Sequence, residues 1–191
     1  MAGISTAPLG GLQVLPRLRA SASIVRNFEI LFIPGLLQTE EYARAVLARS
    51  VVPEKEDLLE LRMRRQERML QPSKGTELRF LIDEAALRRV VGSPAVMRAQ
   101  LEHLGELSRL PHVRIGVVPF GVGLYPLLRS PYVIFEFPST GQVLWCIWRI
   151  PTAASSSVTR PPSEFSAASR TTWRRSGRSR TRARNRSRSG R

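Results

Sequence analysis

The sequence contains little cysteine and histidine and has no long apolar run. Cys146 is the only cysteine in 191 residues, so the chain cannot form an internal disulfide. His103 and His112 have no cysteine or further histidine at ligand spacing, which argues against a metal site. No stretch reaches the roughly 18 apolar residues of a membrane span, and the start does not resemble a signal peptide. We therefore expect a cytoplasmic protein with no metal, no cofactor and no membrane partner.

Patterns typical of catalytic sites are also missing. Gly121 and Gly123 follow an apolar stretch, as in a dinucleotide-binding turn, but Pro126 occupies the third glycine position. No serine lies in a Gly-x-Ser-x-Gly elbow, and no base has an evident orienting partner. We therefore expect that the chain is not an enzyme.

Positive charge is abundant, but most of it lies at one end of the chain. The formal net charge is +15, and arginine outnumbers lysine 28 to 2. Residues 151–191 contain eleven arginines and one acid, a net of +10, which leaves +5 for residues 1–150. Such a weakly basic body gives little support for phosphate binding. The four arginines of residues 62–68 are flanked by Glu60 and interrupted by Glu67, which predicts a solvated helix face.

Composition divides the chain into three parts. Residues 1–20 are rich in glycine, proline and small residues and predict an irregular segment. Residues 21–150 have the apolar periodicity of one folded domain. Residues 151–191 are mostly Arg, Ser, Thr, Ala and Pro, and they contain too few large apolar residues to offset their chain entropy, so we expect a disordered tail.

The apolar pattern of the domain predicts alternating helices and strands. We expect helix over residues 23–28 and extended chain over 29–33. Further helices are predicted over residues 40–49, from Pro53 to residue 70, from Asp83, and from Ser93 to Leu110. Strands are predicted over residues 77–82, 113–120, 131–137 and 143–148, the last two joined by a hairpin-like turn at 138–141.

The order of these elements predicts an α/β fold, with α+β as the alternative. About four strands would form a small mixed sheet packed by about four to five helices. The strands at 77–82 and 113–120 are separated by helices, which implies parallel neighbours with a right-handed crossover. Because the second of these strands is mostly apolar, we expect it in the interior of the sheet.

Residues 33–43, Ile-Pro-Gly-Leu-Leu-Gln-Thr-Glu-Glu-Tyr-Ala, join a turn to the start of a helix. Pro34 and Gly35 favour the turn, and Leu36 anchors it in the core. Thr39 caps the following helix, whose first turn is acidic. These residues and Gln38 predict a structural corner.

This run resembles the signature of a domain of unknown function that follows an N-terminal helix-turn-helix in antitoxin-like transcriptional regulators of GC-rich bacteria. The same family is suggested by four later runs, which lie at residues 81–89 (Leu-Ile-Asp-Glu-Ala-Ala-Leu-Arg-Arg), 91–92 (Val-Gly), 97–101 (Met-Arg-Ala-Gln-Leu) and 116–120 (Gly-Val-Val-Pro-Phe). Pro119 in the last run is a further structural position of the motif. The resemblance covers roughly residues 22–142.

The resemblance implies a regulatory domain that senses a ligand or binds a partner. The implied partner is the small neighbouring protein of an antitoxin-like pair, promoter DNA bound through a separate module, or both. A helix-turn-helix needs a few tens of residues upstream of Ile33, and residues 1–20 do not fit one. We therefore expect a regulatory domain without its own DNA-binding module.

Two acids lie where an open sheet tends to bind ligands. Asp83 and Glu84 follow the strand at 77–82, and the carboxyl ends of parallel strands meet at one edge. The loop after the next strand contains Phe120 and Tyr125 and leaves that same edge. These four residues form the candidate site for a small ligand or a partner peptide, with a helix cap as the alternative role of Asp83.

The tail offers a second function. Arg174, Arg175, Arg178 and Arg180 lie in an arginine-rich segment that would bind nucleic acid or another polyanion in a salt-sensitive way. A different origin is also consistent with its composition, because GC-rich DNA read out of frame encodes mostly Arg, Ser, Pro, Ala, Gly and Thr. Residues 144–148, read one nucleotide earlier, resemble a strand of the family. We hypothesise a shift of the reading frame near Val143.

Overall fold

The structure, a computed structural model, describes residues 22–51, 53–71, 75–125, 128 and 131–137, together with the backbone of 145–149 and 156–159. These residues form a mixed sheet packed by four helices, an α+β fold. The strands are β1 (Ile24–Glu29), β2 (Glu77–Asp83), β3 (Val113–Val118), β4 (Tyr132–Glu136), β5 (Trp145–Arg149) and β6 (Ser156–Thr159). The helices are α1 (Glu40–Ala48), α2 (Lys55–Leu70), α3 (Glu84–Arg88) and α4 (Pro94–Leu107).

The sheet has the strand order β3-β2-β1-β4-β5-β6. β1, β2 and β3 are parallel to one another, whereas β4, β5 and β6 add in antiparallel fashion. The predicted parallel pairing of β2 with β3 is therefore confirmed. The predicted interior position of β3 is wrong, because β3 lies at the edge of the sheet and exposes Arg114 and Val117.

The prediction of a helix at residues 23–28 is wrong, because Ile24–Glu29 form the strand β1. Val25 faces the helices and Phe28 faces the opposite side, and both are fully buried. A strand covered on both faces loses the simple alternation of apolar and polar residues, so its spacing imitated a helix. Pairing with β2 and β4 decided its conformation.

The helix starts follow the predicted caps. The Thr39 hydroxyl accepts a hydrogen bond from the Tyr42 N–H at 3.3 Å, and the Ser93 hydroxyl accepts one from Val96 N–H at 3.2 Å. Pro94 occupies the first turn of α4, where its missing N–H costs nothing. Among the described residues, every helix is too short or too polar to cross a membrane.

The helices cover one face of the sheet. Their apolar side chains pack with the strand residues that point to that face, including Leu78, Phe80 and Phe135. On the opposite face, a second apolar cluster contains Phe28, Leu81, Val118, Tyr125, Tyr132 and Ile134, and it receives no residue from α1 to α4. The helices are thus on one side, as in an α+β fold.

The C-terminal predictions are only partly within the described residues. The sequence predicts disorder from residue 151, yet Ser156–Thr159 form β6 and pair with β5. Backbone hydrogen bonds to a sheet edge need no apolar side chains, so composition gave no sign of this strand. The predicted turn at 138–141, residues 1–20 and residues 160–191 lie outside the described part.

Candidate functional site at the carboxyl edge of the parallel strands

Asp83 and Glu84 lie where β2 ends and α3 begins. Asp83 is buried, and its Oδ1 accepts a hydrogen bond from the Ala85 N–H at 2.8 Å, so it caps α3. Glu84 follows as the first residue of that helix. The sequence left two roles open for Asp83, helix cap and site residue. Its carboxylate has two oxygens, so one can cap α3 while the other takes part in the site.

The loop after β3 is tied to these two acids. The Phe120 N–H donates a hydrogen bond of 2.9 Å to Oε2 of Glu84. The Tyr125 hydroxyl donates a hydrogen bond to Oδ2 of Asp83. The structure therefore brings together the four residues that the sequence placed in the candidate site.

The surroundings shift the pKa values of Tyr125 and Glu84 in opposite directions. Burial raises the pKa of Tyr125, and its hydrogen bond to Asp83 raises that pKa further. The hydrogen bond from the Phe120 N–H holds the pKa of Glu84 below its ordinary value, and hydrogen bonds from Arg88 at 2.8 and 3.0 Å act in the same direction. Each acid already accepts hydrogen bonds from the protein, which suits holding a loop better than abstracting a proton.

Aromatic packing fixes the end of this loop on the sheet. The rings of Phe28 and Tyr125 meet edge to face with centroids 6.0 Å apart, and Phe28 lies 5.4 Å from Tyr132. Phe28 and Tyr132 are directly paired across β1 and β4. Tyr125 is therefore held both by ring contacts and by its hydroxyl.

Five large apolar side chains are exposed at this edge. Leu31 and Phe32, 50% and 42% exposed, follow β1. Phe120, Val122 and Leu124, which follow β3, are 59%, 41% and 90% exposed. We call these five residues the apolar rim. A concentration of exposed apolar side chains at one place is typical of an interaction surface.

Glycine shapes the loop that carries part of the apolar rim. Phe120–Val122 form a 3-10 turn after Pro119, and Gly123 then adopts a φ of +68°. This left-handed conformation suits glycine and turns the chain so that Leu124 points into solvent while Tyr125 is buried. The two glycines of the Gly-x-Gly run thus serve a turn, with no phosphate-binding helix after it in the described part of the chain.

The signature corner at residues 33–39 is held by three buried glutamines. Gln38 Nε2 donates to the Ile33 carbonyl at 2.7 Å. Gln66 Nε2 donates to the carbonyls of Gly35 and Gln38 at 2.8 and 2.9 Å. Gln100 Nε2 donates to the Leu37 carbonyl, and its Oε1 accepts from the Thr39 N–H, both at 2.7 Å. These side chains satisfy backbone groups that would otherwise be buried without partners.

Gly35 leaves room for arginines of α2. A Cβ on Gly35 would lie 3.2 Å from Nη2 of Arg65, and Arg62 donates a hydrogen bond to Oε1 of Gln38. The prediction of a solvated face holds for the exposed Arg64, which pairs with Glu60, but it is wrong for Arg62 and Arg65. Arg62 lies against the corner because the Gln38 amide oxygen accepts its hydrogen bond, and Nη2 of Arg65 lies beside Gly35.

The glutamines are the residues that sequence reasoning missed. Gln66 and Gln100 occupy positions on the buried faces of α2 and α4, next in spacing to Met69, Met97 and Leu104. A polar amide on an otherwise apolar helix face must find a hydrogen-bond partner. A glutamine at a buried position of a helix was therefore the sequence feature from which these hydrogen bonds could have been predicted. The remaining motif residues Pro34 and Leu36 are buried, and the Pro34 carbonyl accepts from the Leu37 N–H at 2.8 Å.

Other candidate chemistry is not assembled in the described part. There, no three His, Cys, Asp or Glu side chains are grouped as metal ligands. Arg174, Arg175, Arg178 and Arg180 lie outside the described residues.

Comparison with known proteins supplies a family. The family model described as "Domain of unknown function (DUF5753)" matches residues 12–186. No curated protein and no solved structure matches the chain. The matched range is longer than residues 22–142, on which the resemblance rested, and it includes the stretch after Val143. Because the match covers most of the sequence, the chain belongs to the DUF5753 family of domains of unknown function.

Proposed function

We propose that this chain is the partner-binding domain of an antitoxin-like transcriptional regulator, and that a small protein partner docks on the apolar rim. The regulatory role is supported by the resemblance of residues 33–43, and of the four later runs, to the domain found in antitoxin-like transcriptional regulators. The docking site is carried by one observation, the exposure of Phe120 and Leu124 on a loop that Glu84 and Asp83 hold in place.

The hydrogen bonds of the loop favour binding because they fix it before a partner arrives. A loop that is ordered only on binding would lose affinity through its conformational entropy. Here the Phe120 N–H is held by Glu84 and the Tyr125 hydroxyl by Asp83. Leu124 lies between these two attachments and is therefore presented in a limited range of conformations.

The shape of the rim favours a protein over a small ligand. Leu124 and Phe120 project into solvent, and an apolar side chain of this kind gains most by entering a pocket on another surface. Each rim residue that becomes fully covered contributes about 1.5–3 kcal/mol. Such a role implies a cytoplasmic regulator whose DNA contacts come from a separate module.

The test uses the small protein encoded beside this chain, coexpressed and copurified with it. Leu124→Asp should abolish copurification, because it places a charge in the centre of the apolar contact. Val51→Asp is the matched control, since Val51 is 97% exposed, lies after α1 and is not one of the rim residues. Equal copurification of the two variants would contradict the proposal, as would equal loss.

Net charge supports a second candidate function, nucleic-acid binding by the tail. Residues 151–191 have a net charge of +10, and polyanions bind such segments with strong salt dependence. Replacing Arg174, Arg175, Arg178 and Arg180 by alanine should weaken binding to a labelled single strand and reduce its salt dependence. This substitution leaves β6 intact, whereas deletion of the whole segment would remove it.

A further inference from the structure

β3 is an edge strand, and its outer backbone groups are unpaired in the described part of the chain. The Leu78 N–H donates to the His112 carbonyl at 2.8 Å, which fixes the residues of β3 that bond to β2. Because alternate residues of a parallel strand bond to the same neighbour, Ile115 and Val117 direct their N–H and C=O groups away from β2. Among the described residues, none forms a hydrogen bond with these outward groups. The outer side of β3 is therefore a template for a further strand.

This edge lacks the features that usually prevent pairing with another chain. Protected edge strands are commonly very short, or they contain lysine, proline or a bulge. The six residues Val113–Val118 include no lysine and no proline, and all six are in unbroken register with β2. The one charged residue of the strand, Arg114, is bound by Glu77 of the neighbouring strand at 2.6 Å. β3 is thus free to form backbone hydrogen bonds along its outer side.

The apolar side chains of β3 are only partly covered by the helices. Val113 and Ile115 belong to the cluster on the helix side of the sheet. The alternation of a strand places Val117 on that same face, yet its side chain is 37% exposed. The helices therefore leave part of this face uncovered at the edge, and a strand added beside β3 would bring a neighbour against Val117.

The order of residues in β3 suits pairing with a second copy of the same strand. In an antiparallel pair about a twofold axis at Ile115, Val113 lies opposite Val117 and Arg114 lies opposite Gly116. Like charges directly opposite one another destabilise a sheet, and this register avoids them, whereas an axis at Arg114 would oppose two arginines. Gly116 has no side chain, which leaves room for the arginine of the other copy. The strand is therefore complementary to itself.

The distribution of charge is compatible with pairing at this edge. The formal net charge of +15 would oppose association of two copies, but residues 151–191 account for +10 of it. All eleven arginines of that segment follow β6 in the sequence, and β6 lies at the opposite edge of the sheet from β3. The arginine-rich segment thus begins at the edge farthest from the proposed contact. Repulsion between exposed charges is screened over about 10 Å at moderate salt.

We propose that β3 pairs with β3 of a second copy of this chain, antiparallel and about a twofold axis at Ile115, so that one sheet continues through both copies. Ile115 and Val117 would then exchange backbone hydrogen bonds with the other strand. Because the paired strands run in opposite directions, the loops after them, which carry Phe120 and Leu124, lie at opposite ends of the pair. The dimer presents two copies of the apolar rim, and its formation stands independently of the function proposed above.

Sedimentation equilibrium of the full chain over a range of concentrations tests the pairing. The parent chain should form dimers and no larger assemblies, since a twofold contact uses the β3 edge of both copies. Val117→Lys should raise the dissociation constant about a hundredfold, roughly tenfold for each of the two charges that symmetry places against Val113. Val51→Lys is the matched control, because Val51 is 97% exposed and lies outside β3. Far-UV circular dichroism should show the same fold for both variants.

Cross-linking tests the register. A short bismaleimide should join two copies of Ile115→Cys, because the twofold axis brings these residues opposite one another. Val51→Cys and the parent chain, which contains Cys146, supply the background and should not be joined. A monomeric parent chain overturns the proposal, whether a separate protein or a segment of the same chain then covers β3. Equal effects of the two lysine variants, dissociation by Leu124→Asp instead of Val117→Lys, or a dimer without the Ile115→Cys cross-link would overturn it as well.

Discussion

Asp83 and Tyr125, 42 residues apart in the chain, meet in a buried hydrogen bond that ties the loop after β3 to the end of β2. The same aspartate caps α3 through its other oxygen. One side chain thus connects a strand, a helix start and the loop that carries Phe120 and Leu124. The stability of the domain and the presentation of the apolar rim are therefore coupled.

Tyr125→Phe should lower the free energy of unfolding by about 1–3 kcal/mol, because it leaves Oδ2 of the buried Asp83 without its donor. Urea denaturation measures the change. Asp83→Asn retains a good capping group for α3. The double variant should cost less than the sum of the two single changes, since Tyr125→Phe removes the bond that Asp83→Asn already weakens by replacing the charged acceptor oxygen with an amide group. Additive effects would show that the two side chains do not interact in solution.

Gln100→Met should destabilise the chain by roughly 1–3 kcal/mol for each of the two groups it leaves unpaired, the Leu37 carbonyl and the Thr39 N–H. Methionine has a similar shape, so the loss would come from hydrogen bonding and not from a cavity. Glu102→Met on the exposed side of α4 is the control and should change stability little. Equal melting temperatures for the two variants would refute the bracing role of Gln100.

Two glycines should respond in opposite ways to alanine. Gly92 has a φ of +70°, and an added Cβ would lie 3.2 Å from the Cβ of Ala45, so Gly92→Ala should destabilise by about 1 kcal/mol or more. Gly105 lies inside α4 with no atom within 4 Å of the added Cβ. Gly105→Ala should therefore stabilise by about 0.5–1 kcal/mol. Thermal melts of both variants check the signs, and a stabilising Gly92→Ala would contradict a left-handed backbone at residue 92.

Glu77 should make stability depend on pH. Its hydrogen bond from Arg79 lowers its pKa, as does the bond from Arg114, from an ordinary value of 4.5. The unfolded state then binds more protons near that value, so the contribution is complete above pH 4.5 and is lost as pH falls through the lowered pKa. Glu77→Gln should cost about 1 kcal/mol at neutral pH. The difference from the parent chain should shrink in acid, and a difference independent of pH would exclude this role.

The reading-frame hypothesis is tested by sequencing the gene and that of a close relative. The hypothesis expects a family-like strand and helix in the frame one nucleotide earlier after Val143. The family match over residues 12–186 includes this stretch, so the competing expectation is an intact present frame. Absence of a family-like C terminus from every other frame would eliminate the hypothesis.

Predictions from the sequence were most accurate where a structural feature is determined by residues close together in the chain. Thr39, Asp83 and Ser93 start helices because a side-chain oxygen reaches an N–H group two or three residues away. The placement of Asp83 and Glu84 beside Phe120 and Tyr125 also followed from a simple rule, since parallel strands bring their carboxyl ends to one edge. The identity of the hydrogen bonds between them did not follow from that rule.

Predictions failed where partners are distant in the chain. β1 imitated a helix because both of its faces are covered, and only pairing with β2 and β4 distinguishes the two conformations. The glutamines of α2 and α4 reach backbone groups 28 to 63 residues away. The solvated face predicted for α2 failed at Arg62 and Arg65 for the same reason, since the corner that they contact is formed elsewhere in the chain.

The sequence by itself determined where α1, α3 and α4 begin, the segregation of charge into the end of the chain, and the family, because these depend on neighbouring residues or on composition. The tertiary structure alone decided that residues 24–29 form a strand, the order of the strands in the sheet and the register of each pair. That register aligns Arg26, Arg79 and Arg114 and lets Tyr125 reach Asp83. The physical reason is that strand register is selected by burying one face against the helices, a condition that no single segment can satisfy on its own.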